Sequence, residues 1–181
     1  MNQVRIIGGQ WRRQLLRFPD SEALRPTPDR VRETLFNWLG QDLTGLRCLD
    51  LFAGSGALGF EAASRGAAAV VLVERAPRVL AALRANAARL KCGDAVEIVR
   101  ADALEFAVSC RQPFDVVFAD PPYHQGWADK LAPFLPRLLA ADGALYLEVE
   151  HPVQALGDWR SVRQGQAGQV HFHLLRQEPR A

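Results

Sequence analysis

The chain has 181 residues, of which 49% are hydrophobic and 23% charged, and its formal net charge is +2. These values are typical of a single soluble globular protein and exclude a fibrous or low-complexity chain. No apolar run reaches the length of a membrane span and the N-terminus lacks a signal-peptide core, so we expect a cytoplasmic protein without a membrane partner. The three cysteines, Cys48, Cys92 and Cys110, lack metal-ligand spacing and predict buried thiols.

Basic residues are concentrated at the start of the chain. Residues 1–32 contain seven arginines and three acidic residues, a net charge of +4, which leaves −2 for the remainder. The planar guanidinium of arginine matches phosphate and stacks on bases. This asymmetry therefore predicts a polyanionic partner for the N-terminal segment. The alternative is a solvated hairpin whose charge is incidental.

The first predicted element is a β-hairpin over residues 3–18, in which Gly8 and Gly9 form the turn. We expect it to lie in an N-terminal arm, residues 1–24, attached to a main domain formed by residues 25–181.

A helix is predicted at the start of the main domain. Thr27 suits the N-cap, Pro28 the first helical position, and Gly40 the helix end. The same prediction places three arginines near the helix start or on its polar face, namely Arg25, Arg30 and Arg32.

Short apolar strands and helical stretches alternate from residue 45 onward. This alternation predicts right-handed βαβ units and a mainly parallel sheet with helices on both faces. Residues 159–164 and 169–175 flank GQAG and predict an antiparallel C-terminal hairpin, which brings the sheet to seven strands. The other predicted strands are 46–51, 69–74, 95–100, 114–119 and 144–149, and the predicted helices are 57–65, 77–90, 103–109 and 127–140.

A glycine-rich loop follows the first of these strands. Residues 50–59, DLFAGSGALG, contain a G-x-G-x-x-G pattern between a strand and a helix, and Glu74 ends the next strand. Glycines let the backbone turn sharply and approach a ligand, and an acid at this spacing can accept the ribose hydroxyls. The pattern alone fits a nicotinamide dinucleotide as well as S-adenosyl-L-methionine.

Asp50 distinguishes these two ligands. It lies at the mouth of the loop, where it would repel a pyrophosphate and attract the ammonium and sulfonium of S-adenosyl-L-methionine. Two unit charges about 4 Å apart interact by about 4 kcal/mol at an effective dielectric constant of about 20, which is enough to favour the cationic ligand. Asp102 ends the third strand, where its carboxylate could receive the adenine amino group.

Residues 120–123, Asp120-Pro121-Pro122-Tyr123, follow the fourth strand. Prolines fix the backbone and have no N–H, so the carbonyls of this segment stay free to accept hydrogen bonds. The Asp120 side chain and the Pro121 carbonyl could accept both N–H bonds of an exocyclic amine while Tyr123 stacks on its ring. Such contacts strengthen as positive charge develops on the nitrogen. The alternative is a strand-ending turn with a surface tyrosine.

These motifs together resemble a known family. The loop DLFAGSGALGFEAASRG resembles the cofactor loop of class I methyltransferases, and DPPY resembles the signature of methyltransferases that modify exocyclic amines. With RIIGGQWRRQLL and RPTPDRVRETLFNWL, they resemble the RsmD family of 16S ribosomal RNA guanine-N2 methyltransferases over residues 4–150. The resemblance implies a Rossmann-like α/β fold, the cofactor S-adenosyl-L-methionine, and methylation of guanine 966 in the usual rRNA numbering.

The resemblance also implies site residues and a partner. Asp120, Pro121, Pro122 and Tyr123 would hold the target base. The cofactor would contact Asp50, Phe52, Gly54, Gly56, Glu74, Arg75, Asp102 and Ala103. The RNA would contact Arg5, Trp11, Arg12, Arg13, Arg25, Thr27, Arg30 and Arg32. We expect a monomer that meets 16S rRNA within an assembling small ribosomal subunit and requires no metal.

Several alternatives stay open on the sequence. DPPY also fits adenine-N6 methylation of DNA or RNA. Two alternatives belong to other functional classes, namely a non-catalytic rRNA-binding assembly factor and a nicotinamide-dependent dehydrogenase. His124 could act as a base, although a solvated loop histidine is the simpler interpretation. His171 and His173 share one strand face with zinc-like spacing, but we expect a plain edge strand there.

Overall fold

The alternation of strands and helices is confirmed in the computed structural model, which describes residues 1–179. The strands are β1 (Asn2–Arg5), β2 (Leu15–Phe18), β3 (Arg47–Asp50), β4 (Ala69–Glu74), β5 (Val96–Arg100), β6 (Phe114–Ala119), β7 (Leu139–Val149), β8 (Ala155–Leu156), β9 (Trp159–Ala167) and β10 (Val170–Gln177). The α-helices are α1 (Asp29–Leu39), α2 (Ala57–Ser64), α3 (Pro77–Leu90), α4 (Ala103–Ser109), α5 (Trp127–Leu131) and α6 (Leu135–Leu138).

The central sheet has the strand order β5-β4-β3-β6-β7-β10-β9-β8. Strands β3 to β7 are parallel to their neighbours in this group, and β10 returns antiparallel to β7 and β9. The seven predicted strands are therefore present, and the two-residue strand β8 adds an eighth at the edge. β10 lies inside the sheet, so the expectation that His171 and His173 occupy an edge strand is wrong.

Two hydrophobic clusters cover the two faces of the sheet. Helices α1, α2 and α3 pack on one face, where Phe36, Phe60 and Leu83 are buried. Helices α4, α5 and α6 pack on the other face, where Leu135 and Leu138 are buried. Parallel strands require such cover on both sides, and the predicted helices on both faces are confirmed. Among the described residues, no helix is long and apolar enough to cross a membrane.

The segment after β6 departs from the predicted single helix over residues 127–140. A 3₁₀ turn, Ala132–Phe134, separates α5 from α6, and β7 already begins at Leu139. Pro133 and Pro136 have no N–H to donate, so a continuous helix would lose hydrogen bonds at both positions.

The N-terminal hairpin is present, but its predicted turn is wrong. β1 and β2 pair from Asn2↔Phe18 to Arg5↔Leu15, and the chain reverses over residues 10–13 instead of at Gly8-Gly9. A Cβ on Gly9 would lie 1.9 Å from the Ser64 carbonyl oxygen. The two glycines therefore let the backbone pass close to helix α2. The arm packs into the same core as α1 and α2, and the proposed boundary at residue 24 stays a prediction.

Candidate active site

Acidic residues gather at one edge of the sheet, where the parallel strands reach their carboxyl ends. Glu74, Asp102, Asp120 and Glu148 line a cleft of about 910 Å³. Asp50 and Asp120 line a narrower adjoining cavity of about 70 Å³. Ligands of open α/β sheets bind outside this edge. The fold thus brings together carboxylates that are as far as 98 positions apart in the chain, from Asp50 to Glu148.

The glycine loop adopts the conformation that its sequence predicts. Gly54 and Gly56 have φ angles of 51° and 82°, in the left-handed region that favours glycine. A Cβ on Gly56 would lie 2.5 Å from the Phe60 ring, so the tight start of α2 also requires glycine. The Gly54 N–H donates to Glu74 Oε2 at 3.1 Å, which ties the loop to the end of β4.

Asp50 is buried beside this loop. Its Oδ2 accepts a hydrogen bond from the Gly59 N–H at 3.1 Å, which anchors the first turn of α2. Burial raises the pKa of the Asp50 carboxyl to about 7, and the neighbouring Glu74 carboxylate contributes. At neutral pH, Asp50 is therefore only partly ionised until a cation arrives, whereas the sequence prediction gave it a full charge.

The remaining predicted cofactor residues also lie around the cleft. Glu74 Oε1 accepts the N–H groups of Arg75 and Ala76, at 2.8 and 3.0 Å. Asp102 Oδ1 caps α4 by accepting the Leu104 N–H at 2.9 Å, while its Oδ2 lies 3.8 Å from the exposed Arg75 guanidinium. Asp102 thus has a structural role that the sequence prediction did not include.

Two further predicted cofactor residues shape the cleft wall. Ala103 is buried and lines the cleft, and Phe52 packs its ring edge-on against Trp127 with centroids 4.9 Å apart. Both therefore lie where the prediction requires them, although their contacts with a cofactor stay predictions.

The DPPY segment also lines the cleft. Pro121 is buried, Pro122 is exposed, and Tyr123 is 41% exposed with its ring available for stacking. Burial of its hydroxyl end raises the pKa of Tyr123, so the phenol stays protonated. The following residue, His124, has a positive φ of 60°, and its N–H donates to Glu150 Oε1 at 2.8 Å. Its side chain is 81% exposed, as the simpler interpretation of a solvated histidine requires.

Glu148 is a site residue that the sequence-based prediction missed. It is 4% exposed, and its Oε1 accepts hydrogen bonds from the Thr27 hydroxyl at 2.9 Å and the Tyr146 hydroxyl at 2.6 Å. Burial and the adjacent Glu148 raise the pKa of Asp120 well above its ordinary value. The sequence signal for Glu148 is a carboxylate within the apolar run ALYLEV. The run as a whole predicts only an apolar strand.

Two predictions about helix α1 are wrong, namely the N-cap role of Thr27 and the RNA contact of Arg32. Helix α1 has Pro28 at its N-cap without a side-chain cap, because the Thr27 hydroxyl points to Glu148 instead. Arg32 is fully buried, where it forms salt bridges with Glu61 and Asp29, so it does not reach an RNA surface.

The other predicted RNA contacts fall into two groups. Arg25 and Arg30 are exposed near the cleft and the start of α1. Arg5, Arg12 and Arg13 are also exposed, whereas Trp11 is partly buried against the core. The turn that carries Trp11 and its neighbours contacts Ser64 at the far end of α2 from the glycine loop. A role for this turn in RNA binding stays a prediction.

His173 is a core residue. It is buried, and its Nε2 accepts the Val153 N–H at 3.0 Å, while burial lowers its pKa. Within residues 1–179, no cluster of three or more potential metal ligands occurs.

Comparisons with known proteins agree with this geometry. The family model described as "Conserved hypothetical protein 95" matches residues 4–176. "Ribosomal RNA small subunit methyltransferase D" of Escherichia coli K12 is 44% identical over 97% of this chain and 91% of its own length. The chain belongs to the RsmD family. The predicted resemblance is thereby confirmed.

Further relatives agree in sequence and in structure. The methyltransferase D of Haemophilus influenzae Rd is 41% identical over 95% of this chain and 93% of its own length. The solved structure titled "Putative methyltransferase yhhF from Escherichia coli" superposes with a TM-score of 0.89 at 42% identity, covering 99% of this chain and all of that one. The predicted class I methyltransferase fold is confirmed.

Proposed function

We propose that this protein transfers a methyl group from S-adenosyl-L-methionine to the exocyclic N2 amine of a guanine in 16S ribosomal RNA. The observation that carries the proposal is that residues of the DPPY segment and of the glycine loop line one cleft. The family supports the reaction class, because its curated members bear the name of a small-subunit rRNA methyltransferase.

The glycine-loop wall fits the proposed cofactor. Asp50 is a buried carboxyl with no cation partner among the described residues, so a cationic ligand would complete its environment. Glu74 uses both oxygens to hold backbone amides and keeps free lone pairs toward the cleft for ribose hydroxyls. Asp102 Oδ2 lies beyond its capping bond, where it can accept an amino group. When bound, the sulfonium cofactor supplies an electrophilic methyl group.

The DPPY wall fits the proposed acceptor. A base amine is a poor nucleophile because its lone pair is delocalised into the ring. An Asp120 oxygen and the Pro121 carbonyl can accept the two amine N–H bonds and turn the lone pair away from the ring plane. These contacts strengthen as the nitrogen becomes positive, which stabilises the transition state more than the ground state. The partly exposed Tyr123 ring stacks on a base that has left its helix, at a cost of a few kcal/mol.

The identity of the base rests on the family. Both guanine N2 and adenine N6 carry two N–H bonds, so the DPPY contacts accept either amine. We propose guanine 966 as the target, by resemblance to the family, and an assembling small subunit as the partner of a monomeric, cytoplasmic enzyme. A non-catalytic assembly factor would have no need of Asp50, Glu74 and Asp120 around one cleft.

The proposal is tested by incubating the purified protein with labelled S-adenosyl-L-methionine and 16S rRNA, free and in assembling particles. We expect transfer by the wild type, and a loss of at least about a hundredfold in Asp120→Ala, because the amine loses its principal acceptor. Asp120→Ala should bind S-adenosylhomocysteine with nearly unchanged affinity.

Asp142→Ala is the matched control, since this exposed residue of β7 lies away from the cleft. Normal turnover by Asp120→Ala would contradict the assignment of Asp120. Absence of transfer by the wild type to either form of the RNA would contradict the proposed function.

A further inference from the structure

Asp120 and Glu148 stand side by side at the ends of two neighbouring parallel strands. In the β6–β7 ladder, Phe118 pairs with Tyr146 and Ala119 with Leu147, so the next step places Asp120 opposite Glu148. Neighbouring strands are about 4.8 Å apart, and side chains alternate between faces every residue. Phe118 and Tyr146 pack on the α1–α3 face, and Asp120 and Glu148 therefore project from that same face.

The strand register makes the two carboxyl groups neighbours, and the Thr27 hydroxyl donates to Glu148 Oε1 at 2.9 Å. In the part of the chain that the structure describes, no salt bridge from arginine or lysine reaches either group. Two neighbouring carboxylates without a cation partner cannot both be ionised at low cost. Burial and the adjacent Glu148 accordingly raise the pKa of Asp120, which favours its protonated form.

We infer that Asp120 and Glu148 form a proton relay, in which Glu148 takes up the proton that Asp120 gives away when it deprotonates the methylated amine. This inference rests on the proposed methyl transfer to a base amine. Asp120 touches the substrate and is the catalytic residue, whereas Glu148 acts through it as a positioning residue and proton store.

The relay balances without a further reactant. Before the reaction, one Asp120 oxygen accepts an amine N–H. The other Asp120 oxygen carries a proton and donates a hydrogen bond to Glu148. Formation of the N–CH₃ bond and cleavage of the S–CH₃ bond leave a positive charge on the nitrogen. An N–H bond of this cation then breaks, its proton goes to Asp120, and the original Asp120 proton passes to Glu148. The pair changes from one negative charge to neutral, and the methylated amine is neutral.

The hydrogen bonds of Glu148 suit this role. The hydroxyls of Thr27 and Tyr146 both donate to Oε1, which leaves Oε2 for the proton. Burial raises the pKa of Asp120, as a shared proton requires, and burial also raises that of Tyr146, so that this phenol remains a donor. The other titratable or charged groups facing the pair are Asp50, Tyr123 and the exposed Arg25 of the cleft rim.

The direct test follows the Asp120 carboxyl by carboxyl-carbon NMR during a pH titration of the unliganded wild type. We expect Asp120 to ionise above the ordinary range for aspartate. In Glu148→Gln, the Asp120 midpoint should fall by about one pH unit or more, because the neighbouring charge is lost. An Asp120 midpoint within the ordinary range for aspartate in the wild type would overturn the inference without reference to any variant.

Single-turnover methyl transfer supplies the second readout. Glu148→Gln should reduce the rate about tenfold to a hundredfold with little change in cofactor affinity or in KM for RNA. Glu148→Asp should recover part of this loss, and the exposed-strand control Glu97→Gln should behave as the wild type.

An unchanged transfer rate in a folded Glu148→Gln protein, with an active wild type, would overturn the relay alone. An inactive wild type would instead overturn the proposed function, and the relay with it. If Glu148 is purely structural, Glu148→Gln should lower thermal stability but leave the single-turnover rate unchanged, which also overturns the relay.

Discussion

Two buried glutamates, Glu61 in helix α2 and Glu148 in strand β7, have opposite surroundings. Glu61 accepts hydrogen bonds from two backbone amides, Ile7 and Gly8, and is paired with two guanidinium groups, Arg32 and Arg65. Glu148 has two hydroxyl donors and a second carboxyl group as its neighbours. The first carboxylate is paired with two cations, whereas the second has no cationic partner among the described residues.

This contrast separates structure from chemistry. The Glu61 cluster joins the N-terminal arm, α1 and α2, and fixes their relative positions. Glu148 lies beside Asp120, the residue that is proposed to contact the substrate amine. We therefore expect substitutions at Glu61 and its partners to lower the free energy of unfolding, and substitutions at Glu148 to lower the rate of transfer.

Arg32→Ala should produce the largest change in stability. It leaves the buried Glu61 with one fewer cation and removes the hydrogen bonds that Arg32 donates to the carbonyls of Arg5 and Thr27. Removing one partner of a buried ion pair costs about 3–5 kcal/mol. Urea denaturation should show this loss, whereas Arg30→Ala on the exposed face of the same helix should stay within about 0.5 kcal/mol of the wild type. If Arg32→Ala and Arg30→Ala had equal free energies of unfolding, the structural role assigned to the Glu61 cluster would be contradicted.

Tyr146→Phe should have an intermediate effect. It removes one of the two hydroxyl donors of Glu148 and leaves a buried oxygen less well satisfied, at a cost of about 1–3 kcal/mol. Thermal denaturation measures that loss, and single-turnover transfer should fall as well, because the Glu148 side chain loses one of the two hydroxyl contacts that position it beside Asp120. Thr27→Val removes the other hydroxyl donor of Glu148 and should have a similar effect. A variant that loses stability but keeps the full rate would show that Glu148 is structural, like Glu61.

Asp50 should make cofactor affinity depend on pH. Its raised pKa of about 7 means that the free protein holds the proton below pH 7 and loses it above. Because the ligand ammonium favours the ionised carboxylate, binding releases the proton. The association constant for S-adenosylhomocysteine should therefore rise by up to about tenfold per pH unit between about pH 5 and pH 7, and then level off. Isothermal titration calorimetry measures this slope, which Asp50→Asn should flatten; a flat wild-type profile would contradict the assignment.

The smallest expected change concerns the arginines of the N-terminal turn. Arg32 and Arg65 are buried around Glu61, but Arg12 and Arg13 at the same end of the molecule are exposed. If these two contact phosphates, replacing both by alanine should reduce the slope of log affinity against log salt by about 0.7–0.9 per lost contact. RNA binding at several salt concentrations measures the slope, with Arg163→Ala on the exposed β9 as control. An unchanged slope would remove the turn from the RNA site.

The sequence allowed the fold to be predicted because its signals are local. Alternating strand and helix periodicities, a glycine loop and a strand-ending DPPY each depend on neighbouring residues, and the sheet then brings their ends to one edge. The sequence therefore predicts that Asp50, Glu74 and Asp120 lie close together, and in the structure they line the cleft and its adjoining cavity.

The missed features depend on contacts that are distant in the chain. Thr27 has ideal N-cap chemistry, but Glu148, 121 positions away, takes its hydroxyl. The sequence predicts an exposed Arg32, because its partner Glu61 lies on another helix and cannot be identified from neighbouring residues. Gly9 has the sequence signature of a turn residue, yet glycine is required there because the backbone passes close to helix α2. Glu148 itself was hidden in a strand whose other residues predict only core.

The central claim is tested most directly by the identity of the methylated nucleoside. The RNA from the labelled reaction is digested, and the labelled nucleoside is separated and identified by its mass and fragmentation. The proposed function predicts N2-methylguanosine at one position of 16S rRNA, formed by the wild type and absent with Asp120→Ala. N6-methyladenosine as the labelled product would contradict the assignment of guanine, and label distributed over many nucleosides would contradict a specific rRNA site.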